Sequence, residues 1–114
     1  MILKPGEKIH AIKQRMFESE VRRHFIGEVT EATEQVARVK GYAFVFDTRK
    51  NQYLRHTEER ERLISIIDSS ILINILPSTA NVERVRYVLN RENMLCVTDG
   101  EAFSMNINEF GATH

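Results

Sequence analysis

At 114 residues the chain fits a single domain, since domains commonly run ~100–150 residues, and its 42% hydrophobic residues supply one core without a metal or a disulfide. Sixteen basic side chains balance sixteen acidic ones, so no global positive field draws the protein to nucleic acid, and any such binding needs a local patch. The single Cys96 has no partner for an intramolecular disulfide, and the opening MILKPGEKIH lacks a long apolar run, so a cytoplasmic protein with no membrane contact is expected.

Beyond Pro5-Gly6, the apolar residues Ile9, Ile12, Met16 and Phe17 recur at spacings of three to five. This pattern predicts an amphipathic helix from Lys8 to about Arg22, although Lys8 to Ile12 taken alone also reads as extended. From Phe25 the period changes to two. Phe25, Gly27 and Val29 alternate with Ile26, Glu28 and Thr30, which predicts a strand with unlike faces. Thr30 to Gln35 reads as a polar turn, and Val36 to Asp47 as a second, antiparallel strand rich in β-branched and aromatic residues.

Thr48 to Tyr53 reads as a polar loop and Leu54 to Arg62 as a charged, solvated stretch. Two apolar strands follow, Leu63–Ile67 and Ile71–Leu76, joined by Asp68-Ser69-Ser70 and closed by Pro77. Asn81 suits the N-cap of a short helix through Val85, while Arg86–Asn90 also fits a strand. The end of the chain predicts a hairpin of Met94–Thr98 and Ala102–Ile107 around a tight Asp99-Gly100 turn.

Chemical signals are sparse. His10, His24, His56 and His114 are scattered without metal-ligand spacing, and His24, beside Arg22 and Arg23, reads as a solvated or interface residue. Cys96 sits in an apolar run, where cysteine behaves as a small hydrophobe. Glu58, Glu59 and Glu61 are interleaved with Arg60 and Arg62, as on a solvated face. The five glycines form neither a phosphate loop nor a dinucleotide fingerprint. No catalytic, metal or cofactor site is expected, and no small-molecule substrate is evident. Lys13 with Arg15, Arg22 with Arg23, and Arg49 with Lys50 are local basic patches, and Tyr42, Phe44 and Phe46 are either core or a stacking face.

Phe25, Gly27, Val29, Ala32, Thr33, Val36, Ala37 and Val39 fall on the apolar-x-Gly pattern of the first motif of the Sm-like (LSm) family, which the chain resembles. Ile67, Asp68, Ser69, Ser70, Ile71, Ile73 and Ile75 match the second motif in position. The resemblance covers about residues 25–39 and 63–76 and implies a mainly β fold. That fold is a small, strongly bent, five-stranded Sm-like (SH3-like) barrel, with an N-terminal helix or arm over 1–24, a barrel core over 25–77 and an appended C-terminal extension over 78–114.

The resemblance also implies a non-enzymatic homo-oligomer that closes into a ring by strand pairing between subunits, with Ile64, Ile66, Ile71, Ile73 and Ile75 at the interface. The family's base pocket uses an Asp, an Asn, an aromatic or His, an Arg and a Gly, and here those places hold Thr33, Ala37, Gln35, Asp68 and Ser69, followed by Ser70. Ala37 offers no hydrogen bond to a base, Gln35 no aromatic platform and Asp68 the wrong charge for phosphate. RNA association through another surface is therefore one expectation, and a protein-interaction module without nucleic-acid binding is the alternative.

Overall fold

A computed structural model describes residues 2–14, 22–47, 49–50, 52–92 and 94–107. Within them the chain is mainly β and wholly antiparallel, with one short 3-10 turn and no α-helix. The larger sheet comprises β1 (Lys8–Lys13), β2 (Arg23–Ala32), β3 (Val36–Asp47), β4 (Gln52–Arg55), β5 (Arg60–Ser65) and β6 (Ile71–Ile75). Its order is β4-β3-β2-β1-β6, and β5 takes the remaining length of the β3 edge, Val36–Gly41, while β4 takes Phe44–Asp47. The smaller sheet is β7 (Arg86–Leu89), β8 (Leu95–Thr98) and β9 (Ser104–Asn106), in that order.

The helix expected from Lys8 is overturned over Lys8–Lys13, which form β1; Met16, Phe17 and the rest of 15–21 lie outside the described residues. The reason is that both faces of β1 are covered. Ile9 and Ala11 enter one core while His10, on the opposite face, is equally buried, so the two-residue alternation that marks a half-exposed strand is absent. Each side of the larger sheet therefore carries its own core. One gathers Ile9, Phe25, Val29, Val39 and Ile64. The other gathers Ile26, Phe44 and Leu76 against Ala80, Val85 and Val97 from beyond β6.

The segment expected as a C-terminal extension supplies much of that second core: among the described residues from 78 to 107, Ala80, Val85 and Val97 cover one face of the larger sheet. Asn81 caps the 3-10 turn Val82–Arg84, accepting from the Glu83 N–H at 3.1 Å, and Arg86–Leu89 is a strand. The expected Thr48–Tyr53 loop contains the start of β4. The charged stretch supplies β5, where Glu61 lies 3.2 Å from Arg38 across the ladder. The final hairpin is present, but register Thr98↔Ser104 leaves a five-residue loop where a two-residue turn was expected. In that loop Asp99 Oδ1 accepts from the Ala102 N–H at 2.8 Å, Oδ2 accepts from the Asn81 N–H at 2.9 Å, and Gly100 takes φ +89°.

Gly27 and Gly41 face each other across the β2–β3 ladder. A Cβ on Gly41 would run into the Ile26 carbonyl, and one on Gly27 would sit 2.5 Å from the Lys40 carbonyl oxygen, so the two backbones approach as only glycine allows.

Candidate functional site

The strand ladder brings the two motif segments to one end of the larger sheet. Thr33 and Gln35 are exposed in the β2–β3 turn, and the Ile66 N–H donates to the Gln35 carbonyl at 2.9 Å, tying that turn to the start of the β5–β6 turn. The turn itself is made by Thr33, whose Oγ1 accepts from the N–H groups of Gln35 at 3.2 Å and Val36 at 3.1 Å. Ala37 is fully buried in the first core, opposite Ile64.

In the second turn Asp68 accepts from the Ser70 N–H at 2.8 Å and its hydroxyl at 2.7 Å. The hydroxyl bond is the main cause holding the Asp68 carboxyl below its ordinary range. Ser69 is exposed and Ser70 half-buried. The Thr33, Asp68 and Ser70 side chains are spent on shaping turns.

Ile64 is buried, and Ile66, Ile71 and Ile73 pack against the first core within the chain; only Ile75 is mainly exposed, at 54%. The open features of β5 and β6 are their backbones. Among the described residues β5 pairs only with β3 and β6 only with β1, so each presents one outer edge. Leu63 (67% exposed), Ile67 (69%) and Leu72 (40%) lie along this same β5–turn–β6 segment. Unpaired edges with apolar side chains invite strand addition, which folded proteins otherwise block with charge, proline or a bulge.

On the opposite face lies a polar cluster that sequence reasoning missed. His10 and His24, the latter expected at the surface, are both buried. His10 Nε2 lies 2.9 Å from His24 Nδ1, and the Tyr87 hydroxyl lies 2.7 Å from the same His24 nitrogen. Asn74 Nδ2 donates to His10 Nδ1 at 3.4 Å, and the Tyr53 hydroxyl stands 3.3 Å from His24 Nε2.

With Asn74 donating to His10 Nδ1, both neutral imidazoles carry the proton on Nε2: His10 Nε2–H is shared between His24 Nδ1 and the Tyr87 oxygen at 3.3 Å, the Tyr87 hydroxyl donates to His24 Nδ1, and His24 Nε2–H donates to the Tyr53 oxygen. Burial pushes His10 down to about 4. Burial, then the His10 and Arg22 charges, pushes His24 down to about 3. Burial, seconded by Tyr53, raises Tyr87 well above the ordinary phenol range. The Tyr53 and Tyr87 rings stack with centroids 4.4 Å apart, closing the cluster between the two sheets.

This cluster is a structural joint. Among the described residues no buried side-chain polar atom lacks a partner, and no group of three metal-ligating side chains occurs. Cys96 is buried, taking a 3.6 Å contact from Asn90 Nδ2. Burial of the Asp99 turn is likewise architectural: the Asn81 N–H above all, and the N–H groups of its own loop, hold the carboxyl down to about 2. His56 is exposed and His114 lies outside the described residues. No family model, curated protein or solved structure matches the chain.

Proposed function

We propose that the protein is a non-enzymatic, Sm-related assembly module of the cytoplasm, a bent barrel built on the run β5-β3-β2-β1-β6 that associates with RNA through a surface other than the motif positions. In this reading it closes into a ring by pairing the outer edge of one copy with that of the next. The observation that supports it best is the pair of open edges on β5 and β6, bordered by exposed Leu63, Ile67, Leu72 and Ile75. Head-to-tail edge pairing generates closed rings when the rotation between copies closes, and it removes the exposed edges altogether.

Native mass spectrometry at micromolar concentration tests the reading. The expected species is a closed ring of about five to seven copies. Leu63→Lys combined with Ile75→Lys reduces it to smaller species while far-UV circular dichroism stays unchanged. A strict monomer from the unmodified chain overturns the proposal.

A second reading, an interaction module that has lost nucleic-acid binding, is favoured by the motif positions themselves. Ala37 is sealed in the core, and the Thr33 and Asp68 oxygens are engaged within their own turns. Labelled oligo-uridylate decides between them: no binding at low salt, where electrostatic affinity is greatest, removes RNA from the function.

A further inference from the structure

Alternation along the strands puts Lys13 of β1 and Arg23 of β2 directly opposite each other, on the same face of the ladder. Like charges in that position repel and destabilise a sheet. Arg62 of β5 joins them at the border of one groove of about 700 Å³, and among the described residues no acidic side chain lines that groove. Among the described residues none of the three cations makes an ion pair within 4 Å; Asp68, whose carboxyl feels Lys13, lies beyond that distance and is hydrogen-bonded to Ser70. The floor is apolar, with Phe25, Ile64 and Ile71, and the Arg62 guanidinium lies over the Phe25 ring at 5.4 Å.

We propose that this groove is a binding site for an anionic amphiphile, a carboxylate or phosphate head on an aliphatic tail. The head sits among Lys13, Arg23 and Arg62, and the tail lies on Phe25, Ile64 and Ile71. Charge complementarity selects the head: Lys13, Arg23 and Arg62 all border the groove, and among the described residues no carboxylate lies within ion-pair distance of them, so an anion placed there gains favourable charge contacts. The aliphatic floor selects the tail, and the volume falls within the ~300–1,000 Å³ usual for small-ligand sites. A polyanion fits less well, because only three cations border the groove on a chain of zero formal charge.

Isothermal titration with dodecanoate and with dodecyl phosphate, both below their micelle concentrations, tests the site and separates the two head groups. At least one of them is expected to saturate a single site per chain. Arg23→Ser or Lys13→Ser is expected to weaken binding about tenfold, the loss of one charge-assisted contact. Both residues are exposed, so the variants keep their far-UV spectrum.

Dodecanol and dodecyltrimethylammonium are expected not to bind. Equal affinity for dodecanol, full displacement by inorganic phosphate, binding of oligo-uridylate or poly-glutamate without dodecanoate, or no saturation at all each overturns the proposal. The mass of every sample is measured alongside, so failure of the site and failure of ring assembly are read separately.

Discussion

Acidification from about pH 7.5 to about pH 5 tests the histidine joint, because both imidazoles are neutral in the fold and ordinary in the unfolded chain. A group whose pKa is lowered on folding binds fewer protons in the native state. Its stabilising effect is therefore complete above the unfolded value of 6.5 and is lost as pH falls towards the folded values, about 4 for His10 and about 3 for His24. At about pH 5 the unfolded chain holds nearly two more protons than the native one. Each site then loses about 2 kcal/mol and the pair about 4 kcal/mol, at ~1.36 kcal/mol per pH unit per proton.

Against a usual total of ~5–15 kcal/mol that is a large fraction. The carboxylates held low by hydrogen bonds, Asp68 and Asp99, act with the same sign but at lower pH, below the ordinary 3.8, so the interval from 6.5 to 5 belongs to the histidines. Urea unfolding followed by far-UV circular dichroism and tyrosine fluorescence at several pH values measures the slope; the chain has no tryptophan to compete. His10→Gln combined with His24→Gln is expected to flatten the curve in this interval, whatever its effect on the plateau. A stability that stays level from about pH 7.5 to about pH 5 in the unmodified chain refutes the assignment of a buried, neutral pair.

Tyr87→Phe deletes the 2.7 Å bond to His24 Nδ1 but leaves the ring stack, so a loss of ~1–2 kcal/mol in unfolding free energy, read by urea titration, is expected. The glycines separate two causes of strain. Gly41→Ala drives a Cβ into the Ile26 carbonyl within the sheet and should destabilise by more than ~2 kcal/mol, whereas Gly6→Ala meets open space and is penalised only for φ +92°, about 1 kcal/mol. Thermal melts of the two variants side by side give the comparison.

The hairpin of β2 and β3 was legible because each strand announces itself: Phe25, Gly27 and Val29 keep a two-residue period, and Val36–Asp47 is dense in β formers. Asn81 was readable as a cap. What failed has separate physical origins. β1 is covered on both faces, so its sequence carries no alternation, and the spacing of Ile9 and Ile12 then imitates a helix.

The first half of β5 was read as solvated because Arg60, Glu61 and Arg62 are charged, so the expected strand began only at Leu63. As an edge strand it tolerates charge on both faces, balancing part of it against Arg38. The histidine joint was invisible for a different reason. His10, His24, Asn74 and Tyr87 meet only through strand register and sheet stacking, and none of those separations leaves a local mark.

The cover on the second core also accounts for where apolar surface remains. β7, β8 and β9 are strands of three or four residues, and they cap the middle of the larger sheet, over Ile26, Phe44 and Leu76. Ladder alternation puts Leu63 and Leu72 on this same face, one on β5 and one on β6, at the two ends of the strand run where the cover stops. An isolated copy leaves both to water. If β5 of one copy pairs with β6 of the next, the two leucines are brought to one seam, and burying them adds to the backbone bonds that the edges form. Leu63→Lys alone should therefore weaken assembly nearly as much as Leu72→Lys alone, since each change spoils the same seam from opposite sides. A dissociation constant for assembly that responds to only one of them argues against head-to-tail pairing and in favour of a like-with-like contact, in which each patch meets its own copy.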